Sequence, residues 1–290
     1  MDYLVRGLAR NGKVGFFIAN TKEIVNQAYE FHRTTPTASA ALGRLLTAGA
    51  IMGRMLKNDA KITIRINGGG SLGTLMVDAN SNGEVRGFVS NPEATLPLKE
   101  NGKLDVGGAV GTNGFISVIK DLGIKENFSS QSQLQTGEIG DDLSYYFLVS
   151  EQIPSIVGLG VLVDVDYSIK ASGGFIIQLH PGHDEDDVKY LEDLASKYTS
   201  VTDLMDKYKP EEIAKLMFGD DVTFTKQDLK FHCPCSKERF IHALSTIATS
   251  DIKEMIEEDH GCDIVCQFCS KEYHLDESDL YKSLELRNNK

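Results

Sequence analysis

The chain has five cysteines, all between positions 233 and 269, and four of them form a C-x-C pair, Cys233 and Cys235, and a C-x-x-C pair, Cys266 and Cys269. Nothing else in the sequence constrains folding as tightly. A C-x-x-C turn brings two sulfurs to one point, and Cys233 and Cys235 face the same way in extended backbone, where side chains alternate. Pro234 favours that conformation by fixing its own φ and biasing the residue before it toward extended geometry. Four thiolates then enclose one ion in the tetrahedron that zinc prefers, with Zn–S about 2.3 Å.

The segment between the pairs exceeds the roughly 15–20 residues of a plain zinc ribbon. It reads as helical: Ser236 caps KERFIHALSTIA, and Asp251 with Glu254 caps IKEMIEEDH, which Gly261 ends. His232, His260 and His274 are alternative ligands, but four cysteines already complete a shell, and Cys262 is left over. A module of residues 231–290 is near the size at which a hydrophobic core alone is marginal, whereas structural zinc contributes about 10–16 kcal/mol of apparent free energy. Loss of the ion is expected to unfold it. Thiolates are also the species that oxidants attack, and a partner one or two residues away supplies a resolving sulfur.

Upstream, residues 1–182 read as an α+β domain of mixed antiparallel sheet and helix. Asn20 with Glu23 resembles a capping box opening TKEIVNQAYEFHR, and Pro36 starts a long Ala/Leu-rich helix. KITIRIN alternates as a half-buried strand should, and Asn82-Gly83 between GTLMVDA and EVRGFVS predicts a hairpin within an antiparallel meander. GFISVIK, SIVGLGVLVDVDYSI and GGFIIQLH add strands, after a helix beginning at Asp141 or Asp142.

Residues 183–230 read as a linker of short helices. Val188, Leu191, Leu194 and Tyr198 fall on one face, as do Val201, Leu204, Met205 and Tyr208, and Pro210 starts a helix that Gly219 ends. These helices are too polar to form a core alone, so they must lie on the preceding domain. The acidic run DEDD reads as solvated.

Other function classes find little support. A net charge of −12, with no Lys/Arg-rich run, repels a phosphate backbone, so nucleic acid is not expected as a partner. The most apolar stretch, Pro36 to Leu56, is interrupted by Arg44 and Arg54 and predicts a buried amphipathic helix, not a membrane span. The start lacks a secretory signal pattern, which points to the cytoplasm, where clustered cysteines serve metal or redox chemistry. Gly7, Gly12 and Lys13 mimic a phosphate loop, but Val14 stands where a hydroxyl must hold magnesium. Gly68, Gly70 and Gly73 precede a strand and not the helix that a pyrophosphate needs. His180 and His183 lack a third ligand, and no catalytic constellation is present, so no enzyme is expected.

The order of H-C-x-C-S-x-E-R, V-C-x-F-C-x-x-x-Y and an upstream domain containing YYFLVSEQIPSIVGLGVLV and GGFIIQLHPG resembles the redox-regulated heat-shock holdase family, the 33 kDa chaperonins, over essentially the whole chain. The resemblance implies an ATP-independent chaperone that binds unfolded or partly unfolded client proteins, with a client-binding and dimerisation domain, a helical linker and a C-terminal redox switch. It implies one Zn2+ per chain on Cys233, Cys235, Cys266 and Cys269 in the reduced, inactive form. Oxidation would pair neighbouring cysteines, expel zinc, unfold switch and linker, and activate the protein as a homodimer. Cys262 lies outside the family motif. The competing reading is a zinc-ribbon, nucleic-acid-associated factor with a purely structural zinc.

Overall fold

In the computed structural model, which describes residues 1–288, the Ala/Leu-rich stretch is one helix, Pro36–Met55, with sixteen of its twenty residues buried. It is therefore enclosed on nearly every side rather than amphipathic, because it lies between two sheets. Small residues allow the approach: a Cβ on Gly49 would come within 2.4 Å of Val77, and one on Gly43 within 2.7 Å of Val25. This helix, α2, follows α1 (Lys22–His32).

One sheet combines β1 (Tyr3–Ala9), β2 (Val14–Asn20), β8 (Ser155–Val163), β9 (Ile169–Leu179) and β10 (Thr223–Asp228), in the order β10-β1-β2-β9-β8. The other combines β3 (Lys61–Asn67), β4 (Thr74–Asn80), β5 (Glu84–Val89), β6 (Phe115–Asp121), β7 (Phe128–Gln133) and β11 (Lys230–Phe231), in the order β11-β5-β4-β3-β6-β7. The expected meander is present, with Gly83 at φ 83° in the turn between β4 and β5; β11 joins β5 in parallel. Short α3 (Val106–Val110) and α4 (Ile139–Tyr146) complete this part, α4 running on into a π turn over Phe147–Glu151.

The capping box expected at Asn20 and Glu23 does not form. Thr21 holds the cap position, but its hydroxyl bonds to Thr47 at 2.7 Å and Ser172 at 3.0 Å. The free amides of Glu23 and Ile24 donate instead to the carboxylate of Asp2, at 3.1 and 2.7 Å, because the β1–β2 hairpin sets Tyr3 opposite Asn20. Burial lifts the Asp2 carboxyl to about 6 despite those two bonds. A carboxyl whose folded pKa is raised binds more protons folded than unfolded, so its contribution to stability is full below about pH 4 and is lost as pH rises through about 6, an effect on the order of 2–3 kcal/mol. An Asp2→Asn chain is expected to lack this fall. Urea unfolding of both proteins between pH 4 and 7 checks it: a constant difference between them would mean that Asp2 titrates normally.

Three helices, α5 (Glu185–Lys197), α6 (Val201–Lys207) and α7 (Pro210–Phe218), cover the face of the first sheet opposite α2. Leu191, Leu194, Leu204, Met205, Ile213 and Met217 pack there with Val5, Phe16, Ile18, Phe175 and Ile177, and Phe218 stacks on Phe16 at 4.6 Å between centroids. The expected stripes are corrected at two positions, since Tyr208 is 42% exposed on the second and Val188 37% on the first. Its neighbour Asp187 turns inward in its place, paired with Arg10 and, at 3.2 Å, with Lys13 from the β1–β2 turn. The Arg10 guanidinium holds the Asp187 carboxyl well below the usual carboxylate range. The acidic run is thus only partly solvated: Asp184 and Asp187 also form the capping box of α5. A second difference follows α7, where the expected helical texture gives way to β10.

The chain divides into two compact units between His232 and Cys233. From Cys233 onward it forms α8 (Lys237–Leu244), α9 (Thr249–Glu257), the antiparallel pair β12 (Gly261–Val265) and β13 (Glu272–Asp276), and α10 (Glu277–Asn288). Ser236 caps α8 as expected, whereas α9 starts earlier than expected, with Ala248 at its cap and Asp251 in its first turn.

Candidate metal centre

Two structural pieces bring the four motif cysteines together. Cys266 and Cys269 sit in the turn joining β12 to β13, which is closed by hydrogen bonds from the Cys266 amide to the Lys271 carbonyl (2.9 Å) and from the Ser270 amide to the Cys266 carbonyl (2.8 Å). Ser270 takes the left-handed conformation, φ 56°, that such a tight turn requires. Cys233 and Cys235 lie just ahead of α8, where the Pro234 carbonyl accepts from Arg239 Nη1 at 2.8 Å and Ser236 Oγ accepts the Arg239 amide at 3.3 Å.

The sulfurs meet across these pieces. Cys233 Sγ is 3.7 Å from Cys266 Sγ, Cys235 Sγ is 3.4 Å from Cys269 Sγ, and all four lie within 4.8 Å of one another. A regular ZnS4 tetrahedron with bonds of about 2.3 Å has edges of about 3.8 Å, so the spacing suits such an ion. Among the described residues the ligand group consists of these cysteines alone. His260 and His274 bond to Glu277 (2.7 Å) and Asp263 (2.8 Å) through Nδ1. Cys262 on β12 packs with Ile252, Ile256 and Leu280, and burial pushes its thiol up.

The electrostatics also call for a cation. Burial pushes the Cys266 and Cys269 thiols up, against backbone amides of Phe268 and Cys269 that favour the Cys266 thiolate and of Lys271 that favour the Cys269 thiolate. Burial would raise Cys235 too, but Tyr273 and the neighbouring thiols outweigh it and bring it down to about 7. Four sulfurs this close repel one another when ionised, and a divalent ion converts that repulsion into attraction. The hydrophobic support is small: a cluster of Ile252, Ile256 and Leu280, with Ile241 and Leu275 buried elsewhere in the unit.

Tyr273 had no role assigned from the sequence beyond its place in the motif. Its hydroxyl donates to the Cys235 carbonyl at 3.0 Å and stands 3.1 Å from Cys235 Sγ, and its ring packs on Phe240, with centroids 5.1 Å apart. The signal for it is an aromatic residue on the strand leaving the cysteine turn. His180 and His183 take no part in the cluster; His183 bonds to the His180 carbonyl at 2.9 Å.

The family model described as Hsp33 protein matches residues 2–276. The chain belongs to the Hsp33 family. A 33 kDa chaperonin of Bacillus subtilis is 49% identical over 275 residues, covering 94% of each chain. One from Geobacillus kaustophilus is 45% identical over 288 residues, covering 98% of each. The crystal structure of the 33 kDa chaperonin of Thermotoga maritima superimposes with a TM-score of 0.91 at 33% identity, over 99% of both chains. The α+β fold with a C-terminal cysteine cluster is therefore that of the Hsp33 family. No helix among the described residues is long and apolar enough to cross a membrane.

Proposed function

We propose that the chain is a redox-regulated, ATP-independent holdase that binds unfolding proteins under heat and oxidative stress in the cytoplasm. The observation that carries this reading is the four-thiol cluster, at the spacing of a ZnS4 tetrahedron, in a unit with a small hydrophobic core. In the reduced state Cys233, Cys235, Cys266 and Cys269 hold one Zn2+, which ties the unit together and keeps the thiolates from reaction.

Activation is oxidation of the ligands. One thiolate of a pair attacks peroxide, forming a sulfenic acid and releasing water after protonation; the neighbouring thiolate then displaces hydroxide and closes the disulfide. Two such events join Cys233 to Cys235 and Cys266 to Cys269, consume two peroxides and leave no ligand for the metal. The lost metal free energy, about 10–16 kcal/mol, matches or exceeds the 5–15 kcal/mol stability of a typical domain, so the unit unfolds. The adjoining segment 183–230 loses its anchor, and the apolar face under Leu191, Leu204, Met205 and Ile213 opens to clients, a surface of the kind that marks interaction sites. The active form is a homodimer. It acts by binding and not by catalysis, and its acidic charge disfavours nucleic acid.

Light scattering of a heat-denatured client tests the reading: the peroxide-treated, zinc-free protein is expected to suppress aggregation and the reduced, zinc-loaded protein to do so far less. Equal protection by both would reduce the cysteines to a structural staple. A Cys262→Ser chain is expected to keep one zinc, and an empty site in that variant, measured by metal analysis, would show the ligand set to be misassigned.

A further inference from the structure

The free side of β1 is filled by the chain's own strand β10, in antiparallel register from Leu8 opposite Thr223 to Tyr3 opposite Asp228. The occupant suits its seat poorly. β1 offers buried Leu4 on the α2 side and buried Val5 on the side of α5–α7. Opposite Val5 stands Lys226, exposed, with its ammonium 3.5 Å from the centre of the Tyr3 ring. Opposite Leu4 stands Gln227, whose buried Oε1 has no hydrogen-bond partner among the described residues. Phe224 alone in TFTKQD is apolar. β10 is therefore held largely by main-chain pairing, which any sequence supplies, its side-chain contacts being Phe224 packed against the core and Lys226 over the Tyr3 ring. It also ends only five positions before Cys233, with the Leu229 amide bonded to the Asp2 carbonyl at 3.0 Å.

The geometry points to the edge of β1 as a client-binding site: an extended segment of an unfolding protein, with alternating apolar residues, adds to the sheet antiparallel to β1 in the place of β10. Its apolar side chains line one face, beside Val5 where β10 places Lys226 or, shifted by one residue, beside Leu4 where β10 places Gln227. This rests on the proposed holdase function, because β10 must first leave: the residues after it, buried Leu229 and β11 paired with β5, belong to the same unit as β10 and must peel away with it once the unit that begins at Cys233 has unfolded. β10 is then a built-in competitor, polar enough to be displaced. Main-chain pairing tolerates many client sequences, while the flanking apolar positions select segments that are buried in folded proteins.

The test uses the full-length oxidised protein and a fluorescent ten-residue peptide of alternating valine and threonine with terminal lysines, beside the same peptide N-methylated through its six central residues. N-methylation removes the amide donors and keeps the side chains. The unmodified peptide is expected to bind at least about tenfold more tightly. A second arm strengthens the competitor: an oxidised Lys226→Val, Gln227→Val chain is expected to bind the unmodified peptide about tenfold more weakly than the parent, with zinc release by peroxide unchanged. If the oxidised parent suppresses client aggregation but binds both peptides alike, or neither, the β1 edge is not the site while the holdase reading stands. If it fails to suppress aggregation at all, the holdase reading falls and this inference with it.

Discussion

Replacing Cys266 by serine is expected to empty the metal centre and leave the protein holding clients without any oxidant. Cys266 is the most buried of the four sulfur residues, and its neighbours Cys233, Cys235 and Cys269 all lie within 4.8 Å of it. A serine hydroxyl is a poor zinc ligand and stays protonated near neutral pH, so the shell drops to three thiolates. The loss in zinc affinity should exceed the 10–100-fold typical of outer-shell changes. Tyr273→Phe, which removes a hydroxyl from Cys235 and leaves four sulfurs, should fall within that 10–100-fold range. Competition with a chromogenic chelator gives both values. With only Ile241, Ile252, Ile256, Leu275 and Leu280 as buried aliphatic side chains among the described residues to fall back on, the unit after His232 should lose its protection from amide exchange in Cys266→Ser, and the reduced protein should suppress client aggregation. A zinc-free Cys266→Ser protein whose unit stays folded would mean that the metal is not what holds it.

The second large effect separates the cover from the switch. An Ile213→Asp chain is expected to hold clients while reduced and still loaded with zinc. Ile213 is fully buried between α7 and the first sheet, among Val5, Phe16 and Met217. An unpaired carboxylate there costs at least several kcal/mol, and Glu211 and Glu212 beside it add like charge. The cheapest relief is for the helices to lift from the sheet, which exposes the same face that oxidation would expose. The four motif cysteines proposed to hold zinc lie in the other unit and should be untouched. Ile213→Val, costing only about 0.5–1.5 kcal/mol, should stay closed. Zinc analysis beside light scattering decides it: a zinc-loaded Ile213→Asp protein that melts like the parent and ignores clients would show that this helical segment is not the cover.

The cluster was legible because its chemistry is local and rare: C-P-C and C-x-x-C each place two sulfurs together before any fold exists. The Asn82-Gly83 hairpin, the Ser236 cap and the Pro210–Gly219 limits of α7 were legible for the same reason, each being set by residues within one turn. Signals that depend on partners far along the chain were misread or missed. TFTKQD and FSSQSQ carry no apolar alternation, yet they are β10 and β7, recruited by the open edges of β1 and β6. Val188 obeys the helical period of its stripe, but Asp187 takes the inward position because Arg10 and Lys13 wait for it some 170 residues upstream.

By itself the sequence determined most of the helices and hairpins and the pairing of the motif cysteines within C-x-C and C-x-x-C, because propensity, turn chemistry and short spacings act over a few residues. Only the tertiary structure decided that the cysteine pairs meet at the spacing of one tetrahedron, that Asp2 accepts the Glu23 and Ile24 amides at the start of α1, and that a polar strand occupies the edge of β1. Those outcomes arise where separate segments compete for buried amides, charges and sheet edges. Such competition is settled by the free energy of the packed whole, which no short window of sequence contains.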